Sequence, residues 1–249
     1  MDYDNDGDLD LFIANGSGRP HSGYNTSATY DEFPDAFFEN NGNGQFTDIA
    51  ANIGLQNPRR GRGSVTFDYD NDGDLDILLV NQKRYKQYGQ ATDNRVWLYQ
   101  NNSSNSNNWF RVKLQGRDGN RDGIGSTVSI VAAGKRQIRL LESSSSHISH
   151  NSLIAHFGLA SATHIDTLEI QWFNGYKQIL TNLSANQQIT VVEKVCSEAS
   201  INVDNCTDDE IQISWNPIDG ASEYEVRYIE LLGTKWETIK TSAPTATLD

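Results

Sequence analysis

Several things are scarce in this chain, and each shortage excludes something. Cysteine is limited to Cys196 and Cys206, too few for a disulfide framework. The two stand close together, so a single bridge in an oxidising compartment and a pair of free thiols both remain open. Positive charge is short: 20 Lys and Arg face 33 Asp and Glu, for a net charge of −13. Such a chain has no basic face to displace counterions from phosphates, which argues against nucleic acid as a partner. No apolar run approaches the ~18–20 residues of a membrane-spanning helix, so no membrane insertion is expected. No signal peptide is visible. Catalytic signatures are missing too. There is no Gly-x-Ser-x-Gly elbow, no phosphate loop and no His-Glu-x-x-His. His147 and His150 lie in a Ser-rich stretch that reads as loop or strand, where i and i+3 point apart. The expectation is a protein that is not an enzyme.

Aspartate, by contrast, is abundant and patterned. The stretch DYDNDGDLD occurs at residues 2–10 and again, letter for letter, at 68–76. Carboxylates so crowded repel one another unless something neutralises them. Asp2, Asp4 and Asp6 fall at loop positions 1, 3 and 5, as do Asp68, Asp70 and Asp72. That alternation lets oxygens converge on one point, and Gly7 or Gly73 at position 6 permits the sharp turn. A hard cation taking six to eight oxygens fits, and Ca2+ fits better than a magnesium ion, which keeps its waters. Position 12 is Ile13 or Leu79, so the bidentate Glu of an EF-hand is absent. Position 9, Asp10 or Asp76, is the expected bidentate closer. Position 7, Asp8 or Asp74, is expected to give its backbone carbonyl and turn its side chain outward. The apolar runs that follow, Leu11–Ala14 and Ile77–Val80, read as strands. Each site is therefore strand–loop–strand.

The duplication continues. FFENNGNGQFTD follows the first loop, and VWLYQNN with WFRV follows the second; both read as strand, Asn-rich turn, strand. DYDNDGDLDLFIANG and FFENNGNGQFTDIAANIGL resemble the FG-GAP, or VCBS-type, repeat of calcium-binding β-propellers. The resemblance covers residues 1–110. It implies propeller blades and places metal ligands at Asp2, Asp4, Asp6, Asp8 and Asp10, and at Asp68, Asp70, Asp72, Asp74 and Asp76. A propeller needs more blades than two, and the first copy lacks a lead-in strand, so the rest are expected upstream of Met1. The segments 16–35 and 82–93 are long insertions carrying Tyr24, Tyr30, Phe33, Tyr85 and Tyr88. They could stack on sugar rings or a partner protein, or merely pin the loops.

From residue 111 to 194 the pattern changes. NRDGIGSTV, HFGLASATHIDTLEIQW and FNG resemble the ASPIC/UnbV domain, which follows such propellers in secreted bacterial proteins. Leu168–Trp172 alternates as a half-buried strand, and Asn174-Gly175 is a hairpin turn. The resemblance departs at Glu142–His150, where a Ser-rich stretch replaces a Gly- and Tyr-containing turn. Asp118, Asn120 and Asp122 with Gly123 repeat the ligand spacing, but the ninth place is Ser126, a weak ligand; an ordinary Asn/Gly turn is preferred over a third calcium site. Residues 195–249, with Ile211–Trp215, Tyr224–Tyr228 and Trp236, resemble an incomplete, Ig-like fibronectin type III sandwich of about five strands. Trp109, Trp172 and Trp215 are expected in cores.

The whole is expected to be all-β. It comprises partial β-propeller blades with calcium loops, then a β-rich ASPIC/UnbV domain, then part of a sandwich. The expected role is a secreted or cell-surface, monomeric, non-catalytic module. It would bind an extracellular protein or glycan ligand in adhesion. The alternative is an accessory part of an extracellular polysaccharide-degrading enzyme whose catalytic site lies elsewhere.

Overall fold

The computed structural model describes residues 1–16, 34–57, 61–82, 95–103, 105–117, 119–144, 146–194, 201–207, 210–218, 221–229 and 237–248. Among them every regular element is a strand. The chain divides into two compact units, Met1–Lys194 and Val195–Asp249.

The acidic loops occupy equivalent places in two small antiparallel sheets. The first sheet orders β1 (Leu11–Ile13), β2 (Ala36–Asn40) and β3 (Phe46–Asp48). The second orders β4 (Gly61–Phe67), β5 (Asp76–Asn81) and β6 (Val96–Tyr99). Each loop runs directly into a strand, as the apolar runs predict. Along β5, Ile77 and Leu79 turn inward and Val80 outward, the two-residue period of a strand with one face covered. The sheets share a small core of Phe37, Ala50, Leu55 and Ile77, with Tyr3 edge-on to Phe37 at 5.1 Å. The counterpart of β4 in the first sheet is only its last residue. Met1 pairs with Asp10, whose N–H donates to the Met1 carbonyl at 2.6 Å. Two such sheets do not make a closed propeller.

The copies also part company at their far ends. The Asn-rich turn of the first copy closes a β2–β3 hairpin. In the second copy the strand after the turn, β7 (Asn108–Gln115), leaves the repeat and becomes the middle strand of another sheet. Its neighbours there are β10 (Ile154–Ala160), antiparallel, and β13 (Gln187–Val192), parallel. A second, antiparallel sheet orders β12 (Lys177–Ser184), β11 (His164–Gln171), β8 (Thr127–Ala132) and β9 (Lys135–Leu140). The two sheets enclose Phe110, Val112, Leu114, Val128, Ile130, Phe157, Leu168 and Ile170, all sealed from solvent. Trp172 belongs to this core, and Gly175 turns β11 into β12 with φ +88°.

Two strands of this domain break the alternation. On β10 every residue from Ala155 to Leu159 is buried, and on β7 Arg111 is buried between the core residues Phe110 and Val112. Ala155, Phe157 and Leu159 face the core, so His156 and Gly158 are covered from the opposite side. The covering comes from the acidic loops. The end of the Ser-rich stretch and Asn151 beyond it also dock on the repeats. Asn151 Oδ1 accepts from the Thr66 N–H at 2.9 Å, and the Ser149 hydroxyl donates to the Ser64 carbonyl at 3.0 Å. They thus cover the outer edge of β4.

The second unit holds a three-stranded sheet, β14 (Ile201–Cys206), β15 (Ile211–Trp215) and β18 (Thr245–Leu248), in that order. A hairpin of β16 (Tyr224–Tyr228) and β17 (Glu237–Thr241) accompanies it. Trp215 is buried edge-on to Tyr224 at 5.3 Å, as the core expectation for this tryptophan requires. Trp109 is only half-buried. Cys196, Asp118, Trp236 and the five insertion aromatics lie outside the described residues. Those residues therefore bear on neither a Cys196–Cys206 bridge, nor a third cation loop, nor the insertions.

Candidate metal centre

Both loops turn on the same two residues. Gly7 and Gly73 adopt φ +90° and +99°, and Asn5 and Asn71 adopt +61° and +64°. Asparagine tolerates this left-handed region better than most side chains, because its amide bonds locally. The first aspartate ties each turn: Asp2 Oδ2 accepts from the Gly7 N–H at 3.1 Å, and Asp68 Oδ2 from Gly73 at 2.9 Å. Asp6 and Asp72 accept from the amides two residues on, at 2.8 and 2.9 Å. Oxygens of Asp2, Asp4 and Asp10 lie within 4.8 Å of one another, and so do those of Asp68, Asp70 and Asp72.

The remaining expected ligands divide by position. At position 7 the side chains point away from the centres. Asp8 pairs with Lys135 at 2.8 Å, and Asp74 accepts from Asn5 Nδ2 at 2.7 Å. At position 9 the carboxylates tie the loop to the next strand. Asp10 accepts from Tyr3 and Asn40 amides, and Asp76 from those of Tyr69 and Asn101, all at 2.8–3.0 Å. Each of those oxygens keeps a second lone pair for a cation.

Asp2 carries the clearest electrostatic signature. It is 1% exposed, and its Oδ1 has no hydrogen-bond partner. Burial pushes its carboxyl up to about 7; Asp6, Asp4 and Asp10 add to this, against the pull of Arg139. Burial likewise raises Asp4 to about 6, with Asp6 contributing. A buried anion beside other anions is costly unless a positive charge accompanies it. The orphaned oxygen, on one of three converging carboxylates, fits a hard divalent ion.

The second loop is neutralised differently. Arg111, on β7, forms an ion pair with Asp68 Oδ2, and both side chains are nearly sealed from solvent. Its guanidinium lies 4.8 Å from the centre of the Trp109 ring. At this loop the first aspartate has a protein cation, so the two copies are unequal despite identical letters.

Spacing alone pointed to the aspartates but not to what holds the loops. Asn5 is the main omission. It is 1% exposed, whereas Asn71 is exposed. His156 Nε2 lies 2.7 Å from Asn5 Oδ1, and Asn5 Nδ2 reaches Asp74 of the other loop. His156 is held down at about 3 by burial, then by Arg139 and Arg111, so the ring is neutral. A neutral ring whose Nδ1 lacks a partner bonds Asn5 as an Nε2–H donor. Gly158 was the other omission. It donates its N–H to Asp2 Oδ2 at 3.0 Å, and a Cβ there would collide with that oxygen and with the Asn5 backbone. A glycine inside a strand does signal close backbone approach. The sequence gives no hint of which backbone approaches.

The fold and the site define a class: acidic-loop β-repeats set against a two-sheet β-domain. Comparison with known proteins makes this specific. Residues 2–79 match the family model of the FG-GAP-like repeat, and residues 116–198 match that of ASPIC and UnbV. The chain therefore carries an FG-GAP-like repeat and an ASPIC/UnbV domain. It is distantly similar to cartilage acidic protein 1 of Homo sapiens and of Mus musculus, at 24% identity over 192 residues. For the Xenopus tropicalis protein of that name the identity is 25%. These alignments cover 77% of this chain and 27% of each relative, so the chain spans about a quarter of their length.

Proposed function

We propose that this chain is a non-catalytic, calcium-stabilised extracellular module acting in adhesion or in the capture of a protein or glycan ligand. The observation that carries the calcium reading is the partnerless, buried Oδ1 of Asp2, whose carboxylate converges with those of Asp4 and Asp10. Asp2, Asp4, Asp6, the Asp8 carbonyl and Asp10 would hold the first ion. Asp68, Asp70, Asp72, the Asp74 carbonyl and Asp76 would hold a second, more weakly, because Arg111 already supplies a positive charge there. The ion supplies charge neutralisation and a fixed loop shape.

Sites of the extracellular type bind at ~10⁻⁴–10⁻³ M, so millimolar calcium adds roughly 0.4–1.4 kcal/mol per site to the folded state. Similarity to cartilage acidic protein 1 supports the extracellular setting. The second unit, with its buried Trp215 and two small sheets, suits the fibronectin-type reading and would act as a spacer.

Calorimetric titration with calcium tests the ion. Binding of the purified protein to a panel of glycans and matrix proteins, with calcium and with chelator, tests the role. Heat on titration with calcium-dependent capture of one ligand class is the expected result. No calcium uptake would refute the ion reading, and no capture under either condition would refute the adhesion reading.

A further inference from the structure

The first acidic loop is seated on the ASPIC/UnbV domain as much as on its own repeat. Besides the Gly158 bond to Asp2, the Ala160 N–H donates to the Asn5 carbonyl at 2.8 Å. Lys135 pairs with Asp8, and Asn107, in the stretch just ahead of β7, donates its Nδ2 to the Asp4 carbonyl at 2.9 Å. Gly158 permits the approach, since any side chain there would meet the Asn5 backbone.

The two oxygens of Asp2 divide the labour. Oδ2 receives both the Gly158 and the Gly7 amide, and Oδ1, buried, receives nothing. An ion on Oδ1 keeps Asp2 charged, and a charged acceptor makes the stronger hydrogen bond to Gly158. Removing the ion leaves a buried carboxylate against Asp4 and Asp10, which is relieved by pulling the loop out into water. The second loop has no such dependence, because Arg111 neutralises Asp68 from within the domain.

We propose that the cation held by the first acidic loop is a clasp that keeps the ASPIC/UnbV sheet seated on the FG-GAP-like repeats. Its loss would free β10 at Gly158 and Ala160 while Arg111 keeps β7 on the second loop. The clasp rests on the calcium reading of that loop.

Residue-resolved amide hydrogen exchange of the full chain, in calcium and in chelator, tests it. Chelation is expected to speed exchange at Gly158 and Ala160 at least tenfold and to leave Leu168, deep in the same domain, unchanged. Gly158→Ala, which keeps every ligand residue but presses a Cβ onto Asp2 Oδ2 and the Asn5 backbone, is expected to weaken the tighter calcium site about tenfold. Asn107→Ala removes only a side-chain donor and is expected to weaken that site severalfold, which covers the case in which Gly158→Ala does not fold. If calorimetry shows calcium bound while Gly158 and Ala160 exchange at the same rate with and without it, the clasp is overturned and the ion reading stands. If no calcium binds, the ion reading itself falls, and the clasp with it.

Discussion

Acid should weaken this protein through one buried imidazole. His156 sits on β10 with Nε2 on Asn5 and the other nitrogen unpartnered. Burial, helped by Arg139 and Arg111, lowers it from an ordinary 6.5 to about 3. The folded state thus holds the ring neutral where the unfolded chain would protonate it. That contribution is fully present above the unfolded value of 6.5 and is lost as pH falls toward 3. Stability should fall by ~1.4 kcal/mol per pH unit in that window. Between pH 7.5 and pH 5 the loss amounts to about 2 kcal/mol. The raised carboxyls act with the opposite sign. Asp2 at about 7, and Asp4, Asp35 and Asp74 at about 6, bind protons in the folded state and favour it at lower pH. Comparison with His156→Gln cancels them, because glutamine can still donate to Asn5 but cannot titrate. Urea midpoints at pH 7.5 and pH 5, with calcium saturating, give the two stability differences. The wild-type protein should lose about 2 kcal/mol relative to His156→Gln on acidification. An unchanged gap between the two proteins would refute the assignment of a buried neutral histidine.

Three further expectations follow from the loops. Arg111→Met should cost ~3–5 kcal/mol in chelator, because it strands the Asp68 carboxylate, and clearly less in saturating calcium. Equal losses in both, by urea denaturation, would rule out Arg111 as the counter-ion. Gly73→Ala puts a Cβ into the Trp109 indole at φ +99° and should destabilise by more than ~3 kcal/mol. Gly44→Ala, at φ +73° with open space around it, should cost only ~1 kcal/mol; thermal melts compare the two. Asp76→Ala should weaken the second calcium site at least tenfold, against less than about threefold for Asp74→Ala, whose carbonyl survives. Equal effects in a calorimetric titration would mean that the ligand assignment is wrong.

Local rules reached part of this structure. The strands after each loop, the positive φ at Gly7 and Gly73, and the Asn174-Gly175 hairpin follow from short-range pattern, because steric and burial preferences act on neighbours. Spacing put Asp2, Asp4 and Asp6 on one point with Asp10 as closer; the oxygens that lie together are those of Asp2, Asp4 and Asp10 in the first loop and of Asp68, Asp70 and Asp72 in the second. Long-range choices do not follow from local pattern. VWLYQNN and FFENNGNG look alike, yet β3 folds back on β2 while β7 joins a sheet with β13, about eighty residues on. Nothing within a repeat encodes that choice; it is made by the apolar surface of the domain that β7 enters. The pairs Asn5–His156, Asp2–Gly158 and Asp68–Arg111 join residues far apart in the chain, and such contacts leave no mark in local periodicity. A buried His and Gly within the HFGLA run were the available hints.

One consequence concerns portability. Asn5 and Asn71 share a letter, a loop position and a backbone conformation, but only Asn5 is bolted to neighbours on two other segments. A nine-residue graft of this motif onto a foreign scaffold would carry the ligands and leave those bolts behind. Saturation mutagenesis would accordingly find position 71, limited only by its positive φ, more tolerant than position 5, so that a duplicated segment has diverged in tolerance without diverging in spelling.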